Sequence, residues 1–198
     1  MNPWDQRYSA PEYFYGSEPN DFLVEQSHRI PVGGSVLCLA EGEGRNAVYL
    51  AQQGYAVTGV DGSSVGLEKA QRLASERGVS ITTVVSDLAA YDMGTSRWDA
   101  IVSIWCHLPQ PLRTQVHQRA VEALRPGGVL ILEAYNPNQL EYKTGGPPTV
   151  DLLMTVDDLR TEFAGLNLAI AHEIVRDVRE GAGHHGMSAV TQVVGVKA

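Results

Sequence analysis

Ser35-Val36-Leu37-Cys38-Leu39-Ala40, followed by Glu41-Gly42-Glu43-Gly44-Arg45-Asn46 and then by Ala47-Val48-Tyr49-Leu50-Ala51, decides how the rest of the chain is read. The first run is almost wholly apolar, as in a strand buried on both faces, and the glycines mark a tight turn. Ala47, Leu50 and Ala51 then share one face of a short helix that Gly54 closes. A strand, a Gly-rich turn and a helix in this order form the opening unit of an α/β sheet.

Ala56-Val57-Thr58-Gly59-Val60 reads as a second strand ending at Asp61. Ser63 or Ser64 caps the next helix, whose inner face is Leu67, Ala70, Leu73 and Ala74, and Gly78 stops it. Ile81 to Val85 is the third strand, ending at Ser86-Asp87, and Asp99 to Trp105 the fourth. Pro111 opens a helix with Val116, Ala120, Ala123 and Leu124 facing inward until Pro126-Gly127-Gly128 turns the chain into a fifth strand, Val129 to Glu133. Tyr135 to Met154 reads as a long functional loop. Thr155-Val156-Asp157-Asp158 resembles a capping box for a helix carrying Leu159 and Phe163. The runs Leu168 to Val178 and Met187 to Val196 have no helix between them and read as an antiparallel hairpin turning at Glu180 to Gly186. His172, between Ile170 and Ile174, is expected to be a core histidine.

The expected fold is therefore a single Rossmann-like, doubly wound α/β sheet, mostly parallel, of seven strands with a C-terminal antiparallel hairpin. Its parts are an N-terminal aromatic arm and helix (1–30), a cofactor-binding core (31–134), a substrate loop (135–155), and a helix with the closing hairpin (156–198). Five of the 14 aromatic residues, Trp4, Tyr8, Tyr13, Phe14 and Tyr15, fall in the arm, which is expected to pack on the domain.

Composition narrows the function. The 198 residues carry 15 Lys+Arg against 23 Asp+Glu, a net charge of -8, and no basic cluster, which disfavours a nucleic-acid partner. No apolar run approaches the ~18 residues of a membrane span, and Met1-Asn2-Pro3-Trp4-Asp5 does not read as a secretory signal, so none is expected. Cys38 and Cys106 sit in or beside apolar runs and read as reduced thiols of a cytoplasmic protein. No set of ligands has metal-binding spacing, and the adjacent His184 and His185 point to opposite sides of an extended segment. A small-molecule ligand is the expected partner.

Open parallel sheets bind ligands at the carboxyl ends of their strands, where strand order reverses. Those ends offer Glu41 to Asn46, Asp61 with Gly62 and Ser63, Asp87-Leu88, and Ile104-Trp105-Cys106-His107. Gly42 and Gly44 allow close backbone approach, and Asp61 follows Gly42 at nearly the spacing of a ribose-binding carboxylate, so the ligand is expected to contain a nucleoside. The Gly-rich turn also fits a dinucleotide fingerprint ending in Ala47, but a pyrophosphate would meet Glu41, Glu43, Asp61 and Asp87 with only Arg45 to offset them. S-adenosylmethionine, with a sulfonium and an ammonium against one carboxylate, suits an acidic cradle.

The order of strand, acidic Gly-rich loop, Asp61, Asp87, Leu124-Arg125-Pro126-Gly127-Gly128 and terminal hairpin resembles the class I S-adenosylmethionine-dependent methyltransferases across nearly the whole chain. Trp4-Asp5-Gln6-Arg7-Tyr8, Tyr15-Gly16 with Pro19-Asn20, the loop 41–46, and Glu180-Gly181 with His184 and Gly186 look most like the small tellurite-resistance and thiopurine methyltransferase-like group. The chain departs from the family's first motif in having Cys38 and Ala40 where Asp and Gly are usual.

The resemblance implies a cofactor site of Glu41, Gly42, Glu43, Gly44, Asn46, Asp61, Gly62, Ser63, Asp87, Leu88 and Ile104. In it Gly42 and Gly44 flank the methionine part, Asp61 holds the ribose hydroxyls, and Asp87 with the Leu88 backbone reads the adenine. It implies also that Arg7 clamps the methionine carboxylate and that Tyr8 or Tyr15 closes over the sulfonium. His107 and His184 are the candidate catalytic bases. The expected reaction is methyl transfer to a small molecule, a thiol or a chalcogen oxyanion being suited to a site without a paired acid and base. A nicotinamide-dependent oxidoreductase and a non-catalytic S-adenosylmethionine-binding module are the alternatives.

Overall fold

A computed structural model describes residues 2–198. Strands β1 (Ser35–Leu39), β2 (Ala56–Asp61), β3 (Thr82–Val85), β4 (Trp98–Ile104), β5 (Leu124–Tyr135), β6 (Leu166–Glu180) and β7 (His184–Lys197) form one sheet in the order β3-β2-β1-β4-β5-β7-β6. The first five pair in parallel, and β7 runs antiparallel to both β5 and β6. This is the expected Rossmann-like sheet closed by a C-terminal hairpin.

Helices α1 (Pro3–Arg7), α2 (Asp21–Gln26), α3 (Arg45–Gln52), α4 (Ser64–Glu76), α5 (Gln110–Ala123), α6 (Gln139–Tyr142) and α7 (Val156–Glu162) complete the fold. Successive strand side chains point to opposite faces, so β1 supplies Val36 and Cys38 to the core under α2, α3 and α4, and Leu37 and Leu39 to the core under α5 and α7. Both cysteines are buried free thiols. Ser63 caps α4 by accepting the Gly66 N–H, and the Thr155–Asp158 capping box is present on α7.

The differences from the sequence reading lie at boundaries and at the sheet edge. Arg125 to Gly128 is not a turn before β5 but an excursion within it, since Trp98 pairs with Leu124 and Ala100 with Val129. The hairpin is longer than expected, with only residues 181–183 between its strands. Residues 135–154 contain α6 and a 3-10 turn at Val150–Leu152. His172 is exposed and not a core residue, because β6 is the edge strand; its ring pairs with Gln192, at 2.9 Å.

Candidate functional site

Strand order reverses between β1 and β4, and a cavity of about 840 Å³ opens at the carboxyl ends of these strands and β2. Of the residues singled out from sequence, all but Gly44 and Ser63 line it. The arm, the 145–148 segment and the hairpin turn form its other walls.

The loop after β1 needs left-handed backbone at Ala40 (φ 49°), Gly42 (φ 62°) and Gly44 (φ 93°). A Cβ on Gly44 would lie 2.5 Å from Ala70 Cβ, so this glycine serves the packing of α3 on α4. A Cβ on Gly42 would lie 2.8 Å from the Tyr8 hydroxyl, so this one lets the arm approach the loop. Asp61, at the end of β2, accepts the Gly42 N–H at 2.8 Å and the Ser63 N–H at 2.7 Å. Burial pushes its carboxyl up, against the lowering effect of these two bonds.

Glu41 accepts the Ala47 N–H at 2.8 Å, satisfying one donor at the start of α3. Burial raises its carboxyl to about 7 despite that bond. The native state thus binds this proton more tightly than the unfolded chain, whose Glu41 titrates near 4.5. That contribution to stability is complete below the unfolded value and is lost as pH rises through about 7. Measured by urea unfolding, the stability of the wild type relative to Glu41→Gln should therefore fall by up to ~3 kcal/mol across this interval. A difference that is flat with pH would mean that Glu41 is ionised throughout.

Glu43, Asn46 and Ser63 hold the arm. Glu43 forms a buried ion pair with Lys69 and accepts the Phe14 N–H at 2.8 Å. Lys69 also donates to the carbonyls of Ala10 (2.9 Å) and Glu12 (2.6 Å). Asn46 Oδ1 accepts the Asn20 N–H at 3.0 Å, and the Ser63 hydroxyl donates to Asp5 at 2.6 Å. Lys69 therefore neutralises one of the two glutamates of the loop. Arg7 lies over the rings of Trp4 and Phe14 and donates to the Tyr15 hydroxyl at 2.9 Å. Asp87 is exposed at the rim, where it accepts the Ala89 N–H at 2.8 Å.

The far end of the cavity is aromatic. Trp105 stacks on Tyr135 with centroids 4.4 Å apart, and Tyr15, Trp105 and Tyr135 surround His184 at 4.7, 4.9 and 5.2 Å. His107 has both ring nitrogens engaged: Nδ1 is 2.8 Å from the Leu152 carbonyl, and Nε2 accepts the Tyr135 N–H at 3.4 Å. Burial lowers its titration to about 4, so the ring is neutral near pH 7. His184 is also lowered by burial, against the pull of Glu180. Among the described residues no cluster of three or more His, Cys, Asp or Glu is placed to hold a metal ion.

Sequence reasoning missed the buried network behind this wall. Glu180 receives Arg45 and Trp105 Nε1 at 2.5 Å each and Asn20 at 2.7 Å, while Glu133 receives Asn20, Arg176 and Gln192. A lone Glu in a predicted turn gives no sign of such partners. The available signal was Arg45, a guanidinium in an otherwise acidic loop.

A family model described as a methyltransferase domain matches residues 36–128. A curated relative, 2-heptyl-1-hydroxyquinolin-4(1H)-one methyltransferase from Mycobacteroides abscessus, is 28% identical over 152 residues, which is 75% of this chain. The chain spans 60% of that relative's length. A solved structure described as the conversion of a disulfide bond into a thioacetal group during echinomycin biosynthesis superposes with a TM-score of 0.79 at 20% identity, covering 98% of this chain and 90% of its own. TehB from Haemophilus influenzae gives 0.74 at 17% identity, over 98% and 66%. Magnesium protoporphyrin IX methyltransferase from Synechocystis PCC 6803 with bound SAM gives 0.65 at 20% identity, over 89% and 74%. These structural likenesses establish the fold.

Proposed function

We propose that this chain is a class I S-adenosylmethionine-dependent methyltransferase acting on a small molecule, and that its acceptor is a planar aromatic compound with an acidic O–H or S–H. One observation carries the reading: a single cavity joins a carboxylate-braced Gly-rich loop at the strand switch point to a neutral aromatic compartment. The methyltransferase-domain match over that loop and the hydroxyquinolinone-methylating relative support it.

The residues suit the cofactor. Asp61 is held in one orientation by two N–H groups, which leaves each oxygen capacity for a ribose hydroxyl. Asp87 and Leu88 line the cavity beyond it, where the family resemblance puts the adenine. Tyr8 and Tyr15 present rings beside Gly42 and His184, and an aromatic face attracts a sulfonium by roughly 0.5–2 kcal/mol. When bound, S-adenosylmethionine supplies an electrophilic methyl group; its transfer leaves the electron pair of the broken carbon–sulfur bond on sulfur, and a protic acceptor loses a proton. The chain orients the acceptor against its aromatic wall and excludes water, an alignment effect worth up to about 7–11 kcal/mol. His184, which lines the cavity, receives the proton.

Charge ranks the acceptors. The aromatic end presents no carboxylate, and its guanidinium, Arg45, is paired with Glu180. A thiol or an aryl O–H suits this lining better than a chalcogen oxyanion, for which only Arg7 at the rim offers a cation. Incubation with labelled S-adenosylmethionine and thiophenol, 2-heptyl-1-hydroxyquinolin-4(1H)-one or selenite is expected to methylate at least one of the first two faster than selenite. Methylation of selenite alone would overturn the acceptor class. Tight cofactor binding without turnover of any thiol or hydroxyheteroaromatic would instead favour a binding module.

A further inference from the structure

Glu180 is 5% exposed, yet its carboxylate joins its own hairpin to three segments that are distant in sequence. Oε2 accepts from Arg45 Nη2, at the start of α3 beside the cofactor loop, and from Trp105 Nε1, in the aromatic wall, both at 2.5 Å. Oε1 accepts from Asn20, the cap of α2, at 2.7 Å. His184 Nδ1, across the hairpin turn, lies 3.6 Å from Oε2. Trp105 has φ 57°, a left-handed conformation disfavoured for a bulky residue, so its ring position depends on such external restraint.

His184 differs from His107 in what its nitrogens meet. Nδ1 is buried with no hydrogen-bond partner at standard distance, and Glu180 is the carboxylate beside it. No protein group bonds Nε2 among the described residues, and the residue lines the cavity. A carboxylate facing Nδ1 favours the tautomer with its proton there, and Nε2 then carries a lone pair. We propose that Glu180 is a positioning residue: it fixes the Trp105 wall to the cofactor loop and sets the tautomer of His184, so that His184 Nε2 takes the acceptor's proton. This rests on the methyltransferase reading above.

The charged and titratable groups around His184 are Glu180 and Arg176 on β6, Arg45 on α3, Glu133 and Tyr135 on β5, Tyr15 of the arm, and His107. Burial opposes ionisation of Glu180, but Arg45, His184 and Trp105 outweigh it and hold the carboxyl well below the usual range. Glu180 is thus the fixed anion nearest the ring. Removing its charge disfavours the imidazolium and shifts the acid limb of the rate profile to lower pH.

Nitrogen-15 NMR of histidine-labelled wild-type protein at pH 7.5 tests the tautomer without any acceptor. Protonated Nδ1 and bare Nε2 at His184 are expected; the reverse assignment overturns the proposal. With 2-heptyl-1-hydroxyquinolin-4(1H)-one as acceptor, Glu180→Gln is expected to lower kcat ~10-fold or more and move its acid limb downward. Because Glu180 also braces Arg45 beside the cofactor loop, calorimetry should show weakened S-adenosylhomocysteine binding in Glu180→Gln, so kcat and its acid limb are measured at saturating cofactor, where Glu180→Asp should restore part of kcat. An unmoved limb with unchanged kcat overturns the assignment. If the wild type does not methylate 2-heptyl-1-hydroxyquinolin-4(1H)-one, the acceptor class proposed above is at fault and the tautomer result still decides the role of Glu180.

Discussion

Asp61→Ala is expected to weaken S-adenosylmethionine binding at least ~10-fold, because a hydrogen bond to a charged group contributes ~1.5–3 kcal/mol and Asp61 is the residue proposed to make such bonds to the ribose. A second effect acts through the loop. The same carboxylate holds the Gly42 and Ser63 N–H groups, and without it the backbone that faces the ligand loses its brace. Asp61→Asn keeps the shape and one acceptor oxygen, so its loss should be intermediate. Calorimetric titration of both variants measures this, and wild-type affinity in Asp61→Ala would remove the cofactor from the assigned position.

Lys69→Met should destabilise the fold by ~3–5 kcal/mol, the usual consequence of leaving one partner of a buried ion pair uncompensated. Lys69 is 5% exposed, pairs with Glu43, and donates to carbonyls at Ala10 and Glu12, so it pins the arm to α4. Its removal leaves the Glu43 side chain without its cation in a dry site, with only the arm's N–H groups for company. Urea unfolding gives the size of the effect, and hydrogen exchange at Phe14 and Tyr15 locates it: these amides should lose protection before those of β1. Adding Glu43→Gln to Lys69→Met should recover part of the lost stability, since the uncompensated charge disappears. Strict additivity of the two substitutions would mean that the pair is not coupled and that the arm is held otherwise.

How much of this was legible in the sequence differs by kind of interaction. The β1–loop–α3 unit, Asp61 and a serine cap at 63 or 64 rest on short-range patterns of apolar run, Gly-rich turn and cap; the first two stand where those patterns put them, and the structure makes Ser63 the cap. His172 was misread because being on the edge of a sheet is a property of strand order, which alternation along one strand does not encode. Glu43 and Asn46 were read as cofactor-binding residues. Their partners, Lys69 and Asn20, lie 26 residues away in sequence, so nothing local marked either as anchoring the arm. Glu180 is the extreme case, with Arg45 135 residues distant and Asn20 160. Only the folded chain brings these together.

The methyltransferase reading requires that the strand-end cavity bind S-adenosylmethionine. Its most direct test is calorimetric titration of the purified chain with S-adenosylmethionine, S-adenosylhomocysteine and the oxidised and reduced nicotinamide dinucleotides. Saturable binding of the two sulfur nucleosides at micromolar concentration, with no heat from either dinucleotide, is the expected result. Binding of a dinucleotide in place of the sulfur nucleosides would contradict the claim and make the chain an oxidoreductase or a nucleotide-binding regulator.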